Sequence, residues 1–183
     1  MSSIGVHVRC WGTHADEVSS LVCSDEGVTT MTTYEHEIEI DAPTEYAFEW
    51  GCEPENWQRC MPALTDVEHI EETDDGTRYR TTFKMLGRSM ISESRFEIAG
   101  PNAHAVSHIQ GDMAGEMHYH YTETDAGTNL RFVAEFEDAE SRFERALQPV
   151  LKRYMDRQFR NHVKTTKDLV EAEYEAKNEI PAQ

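Results

Sequence analysis

The sequence predicts an α+β fold: a curved antiparallel sheet of about seven strands, two short helices after the first strand, and a long C-terminal helix over the concave face. Three observations predict it. Apolar and acidic residues alternate strictly from Tyr34 to Asp41. Strand-like runs then recur between turns in which Gly stands beside Asp or Asn, the signature of an antiparallel meander. After Glu140 the apolar period lengthens to three to five residues, which marks an amphipathic helix. A single sheet has one apolar face to cover, and only this last helix is long enough to cover it.

The elements follow in order. Tyr34, His36, Ile38 and Ile40 face one way; Glu35, Glu37, Glu39 and Asp41 face the other, giving a half-buried edge strand with an acidic outer face. Pro43 cannot donate to a strand ladder but suits a first helical turn, so "PTEYAFEWGCE" reads as a short helix. "PENWQRCMP" is a second one, closed by Pro62. The strands "TDVEHIEE", "TRYRTTFKML", "SMISESRFEIA", "HAVSHIQ", "EMHYHYTET" and "TNLRFVAEFE" come next. The C-terminal helix runs from Glu140 to about Tyr174, and Pro149 is expected to kink it or mark its proper start. Residues 1–30 hold no sustained period; they are expected to be a disordered leader or to lie outside the domain, which is read as 31–176 with a tail at 177–183.

Charge narrows the function classes. Asp plus Glu is 35 against 17 Lys plus Arg, a net charge of −18, and only 5 of the basic residues are Lys. An acidic excess with scarce Lys predicts a surface adapted to molar salt, where the Debye length shrinks to about 3 Å and self-repulsion is screened. No basic stripe exists to release counterions, so nucleic acid is excluded as a partner and an anionic membrane surface is disfavoured. No stretch approaches the roughly 20 apolar residues of a membrane helix, and the start has no cationic region leading into an apolar core, so a cytoplasmic protein is expected. Cys10, Cys23, Cys52 and Cys60 form no C-x-x-C pair and are expected to be reduced thiols.

This order of elements, with the strings "IEIDAPTEYAFEWGCEPENWQRCMPAL", "ETDAGTNLRFVAEFE" and "LQPVLKRYMDRQFRNHVKTTKDLVE", resembles the START-like or SRPBCC superfamily. Within it the resemblance is to the polyketide cyclase/dehydrase and coenzyme Q-binding START-like group. The matching residues are Ala42-Pro43, Phe48, Asn56-Trp57, Pro62 and Gly127-Thr128, over residues 33 to about 173. The resemblance implies a helix-grip fold with a space between sheet and helix. It names no reaction, because this superfamily hosts carriers, cyclases, hydroxylase domains and co-chaperone domains on one scaffold.

Strand parity supplies the candidate lining of that space. Trp57, Tyr79, Phe83, Met90, Ser92, Ser94, His108, Met117, Tyr119, Tyr121 and Phe132 come from the sheet side, and Leu151, Tyr154 and Met155 from the helix. Thr81 shares the phase of Phe83, and Val106 shares that of His108. The set is apolar with a polar minority, as ligand pockets are. His108 is the candidate general acid or base. His118 and His120 share one face but point away from the apolar residues, and no third ligand is evident, so no metal is expected. No nucleotide-binding glycine pattern appears, so no cofactor is expected either. The expected function is binding or transport of a small apolar ligand (a lipid, quinone or polyketide-like compound). The alternatives are a cyclase/dehydratase using the same cavity, and a module that binds a protein partner.

Overall fold

β1 (Met31–Ile40) forms where the alternation is strictest, with Thr32, Tyr34 and Ile40 buried on one side. The computed structural model of the protein describes residues 30–85, 87–100, 104–138 and 142–178, with no side-chain description for 142–147, so the expectation for residues 1–29 lies outside the described residues. After β1 the chain turns directly into α1 (Thr44–Cys52) and α2 (Pro54–Cys60). Pro43 caps α1 in an extended conformation, and Pro54 is the first residue of α2, where its missing N–H costs no bond.

Six strands follow: β2 (Leu64–Thr73), β3 (Gly76–Met85), β4 (Arg88–Gly100), β5 (His104–Gly111), β6 (Gly115–Thr124) and β7 (Gly127–Glu137). All neighbours pair antiparallel, in the order β1-β7-β6-β5-β4-β3-β2, so β1 and β2 are the two edges. α3 (Arg142–Asn178) is one helix that runs through Pro149 and does not begin there. Its buried side carries Met155, Phe159, His162, Val163, Thr166 and Val170, at the three- and four-residue steps of a single stripe.

The turn before β7 locks the strand-to-helix junction. Thr128 is fully buried, and its hydroxyl donates to the Ala42 carbonyl at 2.7 Å. Gly127 has φ +141°, and a Cβ there would lie 2.4 Å from the Ile40 carbonyl oxygen. Only glycine permits that approach. Gly127-Thr128 and Ala42-Pro43 thus form one joint between β7 and α1.

Two connected cores fill the grip. One joins Tyr34, Phe83, Met117, Phe132 and Phe136 to Met155, Phe159 and Val163. The other joins Ile40, Phe48, Trp50, Phe96, Tyr121 and Leu130 to Val170. Each large apolar side chain buried in this way contributes about 1.5–3 kcal/mol before entropy is counted. No helix among the described residues is long and apolar enough to cross a membrane.

β5 corrects the parity reading. Ser107 lines the inner space, and Ala105 and Ile109 share its phase, so Val106 and His108 point to the convex side. Val106 is nevertheless buried, between cross-strand neighbours Glu97 and His118. A central strand buried on both faces loses the polar–apolar alternation that reveals phase.

Candidate ligand cavity

Between the concave face, α1–α2 and α3 lies a cavity walled by Trp50, Trp57, Met61, Leu64, Phe83 and Met117. Its polar side is made by Thr81, Ser94, Ser107, Tyr119, Tyr121, His162, Thr166 and Cys60. The volume is about 40 Å³, space for a few waters. Pockets for drug-sized ligands are roughly 300–1,000 Å³, so side chains occupy most of this one.

Of the predicted lining, Trp57, Phe83, Ser94, Met117, Tyr119 and Tyr121 reach the cavity. Tyr79 stands behind Trp57, edge to face at 5.1 Å between centroids. Phe132 is fully buried beneath His162 and Tyr119, at 5.4 and 5.1 Å. Ser92 is buried, and its hydroxyl accepts from the Met113 backbone N–H at 3.3 Å. Met90, Leu151 and Tyr154 pack around the core, and Met155 lines a narrower space toward Met85 and Phe136. His108 does not enter. Its Nδ1–H donates to Glu116 at 2.8 Å on the convex side.

His162 takes the place that His108 was expected to hold. Sequence reading passed over it, although it continues the Met155–Phe159 stripe by three residues. Trp50, Gly51, Cys60, Met61, Leu64, Ser107 and Thr166 were missed as well. Trp50 and Cys60 sit on short helices whose apolar faces are too brief to show a period, while Ser107 was lost with the phase of β5.

Burial sets the protonation of these groups. It drives the His162 pKa down to about 4, against a smaller opposing effect of the Cys60 backbone, so the imidazole is neutral. Its Nδ1 is buried and has no hydrogen-bond partner among the described residues. Burial raises Tyr119 and Tyr121, which stay phenols, and pushes the Cys60 thiol up to about 11. The Thr81 and Ser94 hydroxyls lie 3.2 Å apart, with Thr81 also donating to the Ser92 carbonyl at 3.2 Å. Trp57 Nε1–H donates to the Gly51 carbonyl at 2.9 Å, holding α2 against the end of α1. Gly51 is needed here, since a Cβ would come 2.2 Å from the Tyr121 oxygen. The cavity is therefore lined by a neutral imidazole with one unpartnered nitrogen, two phenols and a hydroxyl cluster among apolar walls. Such a site can bind a polar edge or accept a proton.

Known proteins share this architecture. The family described as "Polyketide cyclase / dehydrase and lipid transport" matches residues 31–171, and the chain belongs to it. Among solved structures, TTHA0849 from Thermus thermophilus superposes with a TM-score of 0.70 at 17% identity, over 77% of this chain and 98% of that one. The Zhui aromatase/cyclase from Streptomyces sp. R1128 gives 0.68 at 16% identity, over 78% and 94%. A START superfamily protein from Mycobacterium smegmatis gives 0.60 at 15%, over 80% and 97%. No curated protein matches the sequence. At these identities the structural likenesses show the shared helix-grip fold alone, and the family match supports a role in ligand binding or polyketide cyclisation.

Proposed function

We propose that the protein binds a small hydrophobic molecule with one polar edge, of lipid, quinone or polyketide-like chemistry, between the sheet and α3. The observation that carries this reading is a buried imidazole, His162, that lines an apolar, hydroxyl-edged cavity and keeps its Nδ1 without a partner among the described residues. An unsatisfied buried acceptor costs about 1–3 kcal/mol, which a ligand hydroxyl or N–H would recover. The small volume favours a compact ring system over a long acyl chain, and entry requires side chains or α3 to yield. The test is native mass spectrometry after exchange from high salt into volatile buffer, followed by lipid extraction and a quinone titration read by Trp50 and Trp57 fluorescence. The expected result is a co-purifying small molecule or saturable quenching, abolished in Gly51→Val, whose side chain displaces Tyr121. Absence of both in the wild-type protein would sink the proposal.

A second reading is favoured by the same nitrogen. A neutral buried imidazole beside two phenols can take a proton from a carbon acid and return it to a departing oxygen. His162, not His108, would then be the group that moves the proton in a cyclase/dehydratase reaction. Turnover of an aromatic-forming polyketide mimic that is lost in His162→Gln and kept in His108→Ala supports this. The reverse pattern rejects it. A partner-binding role finds less support: the large apolar side chains exposed among the described residues are Met31, Ile91, Ile98 and Val150, spread over three elements.

A further inference from the structure

The convex face carries a second group of histidines, unrelated to the cavity. His104 on β5 stands directly across from His120 on β6, and their rings stack with centroids 4.0 Å apart. His118 lies two residues before His120 on the same face, its ring 5.4 Å from that of His104. One ring nitrogen from each of the three falls within 4.8 Å of the other two. All three side chains are half-buried, so solvent reaches them and the surrounding sheet holds them.

The spacing suits a metal. Two imidazole nitrogens at 2.0–2.1 Å from a tetrahedral ion are about 3.3 Å apart. His104 Nε2 and His118 Nδ1 are 3.2 Å apart. His120 offers a third nitrogen within 4.8 Å of both, and its ring, stacked on His104 at 16°, must rotate out of that stack to turn a lone pair toward the ion. Behind the cluster stands a carboxylate: His118 Nε2–H donates to Glu116 Oε2 at 3.2 Å, which leaves the Nδ1 lone pair directed at His104. Glu116 is itself held by His108 Nδ1–H at 2.8 Å, and His108 Nε2 lies 3.2 Å from Glu97. A carboxylate that fixes the tautomer of a ligating histidine is the usual support of a metal-bound imidazole. Without an ion, His104 and His118 must share a proton across that 3.2 Å; an ion replaces it.

We propose that His104, His118 and His120 bind one borderline divalent cation of the Zn²⁺, Ni²⁺ or Cu²⁺ class on the convex face, with Glu116 as the positioning residue. Three neutral nitrogens with no carboxylate among the ligands favour such ions over Mg²⁺ or Ca²⁺, which require oxygen ligands. Three protein ligands leave a fourth position to water, open to solvent. The ion ties β5 to β6 on the side of the sheet opposite the cavity, so this site stands or falls independently of the ligand-binding proposal.

The test is equilibrium dialysis of the full chain against Zn²⁺, under reductant, with Co²⁺ spectra as a second readout. The wild type is expected to bind an ion that His118→Ala does not, to show tetrahedral Co²⁺ bands, and to prefer Zn²⁺ over Mg²⁺ by orders of magnitude. His104→Ala and His120→Ala should each weaken binding at least tenfold, and Glu116→Gln about 10- to 100-fold while the fold is unchanged. Because Cys10, Cys23, His7 and His14 could bind zinc elsewhere, the decisive quantity is the difference between wild type and His118→Ala. Equal stoichiometry and affinity in those two proteins would overturn the proposal. So would a Co²⁺ spectrum dominated by thiolate charge transfer that survives in His118→Ala.

Discussion

His162 and His118 occupy opposite faces of one sheet-and-helix domain, and their surroundings differ in every respect that matters to an imidazole. His162 is sealed between Phe132, Tyr119 and the α2 backbone, with one nitrogen unsatisfied and its pKa driven down to about 4 by burial. His118 is half-buried in a row of polar groups, with one nitrogen bonded to Glu116 and the other facing His104. On the concave side the environment supplies desolvation and leaves one nitrogen without a partner among the described residues. On the convex side it supplies partners and only partial desolvation. A lone desolvated imidazole suits a ligand that brings its own donor, whereas a group of imidazoles backed by a carboxylate suits an ion. The same residue type therefore marks two different candidate sites, and solvent access together with neighbours separates them.

Substitutions should reproduce this division. The largest expected effect is Phe132→Ala, which empties the fully buried position under His162 and Tyr119 and should lower stability by about 3–5 kcal/mol in urea unfolding. If zinc affinity at the convex histidines falls in parallel at fixed folded fraction, the two faces are coupled and the comparison fails. Next in size is the pH dependence due to His162. Its folded pKa of about 4 lies below an unfolded value near 6.5, so between those values the unfolded chain holds the extra proton. That contribution to stability is complete above about pH 6.5 and is lost as pH falls toward 4, by on the order of 3 kcal/mol. His162→Leu should flatten this part of the pH profile; an unchanged slope would show that His162 is not desolvated as described. The smallest effect belongs to the convex face without metal. His104→Ala with His120→Ala should shift stability by no more than about 0.5–1 kcal/mol, since partly exposed positions away from core and caps are tolerant. A larger loss by urea unfolding would mean that the stacked rings are part of the fold's own support.

Much of the architecture was legible before any tertiary information. The strand at Tyr34–Ile40, the prolines that open α1 and α2, and the Gly-marked hairpins are local signals, and each element stands where its pattern put it. The candidate cavity was legible in part. Phe83, Ser94, Met117, Tyr119 and Tyr121 followed from parity because their strands have one polar and one apolar face. β5 broke that reasoning. In "HAVSHIQ" both Val106 and Ile109 are buried although they face opposite sides, so no alternation distinguishes inward from outward. His108 was assigned to the wrong face for that reason.

The sequence by itself determined the order of elements, the α+β class and the helix that closes the sheet. Those depend on period, turn chemistry and chain length, and each is written within a window of about a dozen residues. Only the tertiary structure decided which imidazole is stranded in the interior and which three meet outside. His104 and His118 are 14 positions apart in the chain. They meet because the β5–β6 register pairs His104 with His120 and Val106 with His118. Register, and the burial that left one nitrogen of His162 unsatisfied among the described residues, are properties of two or more segments in contact, and no single stretch of sequence states them.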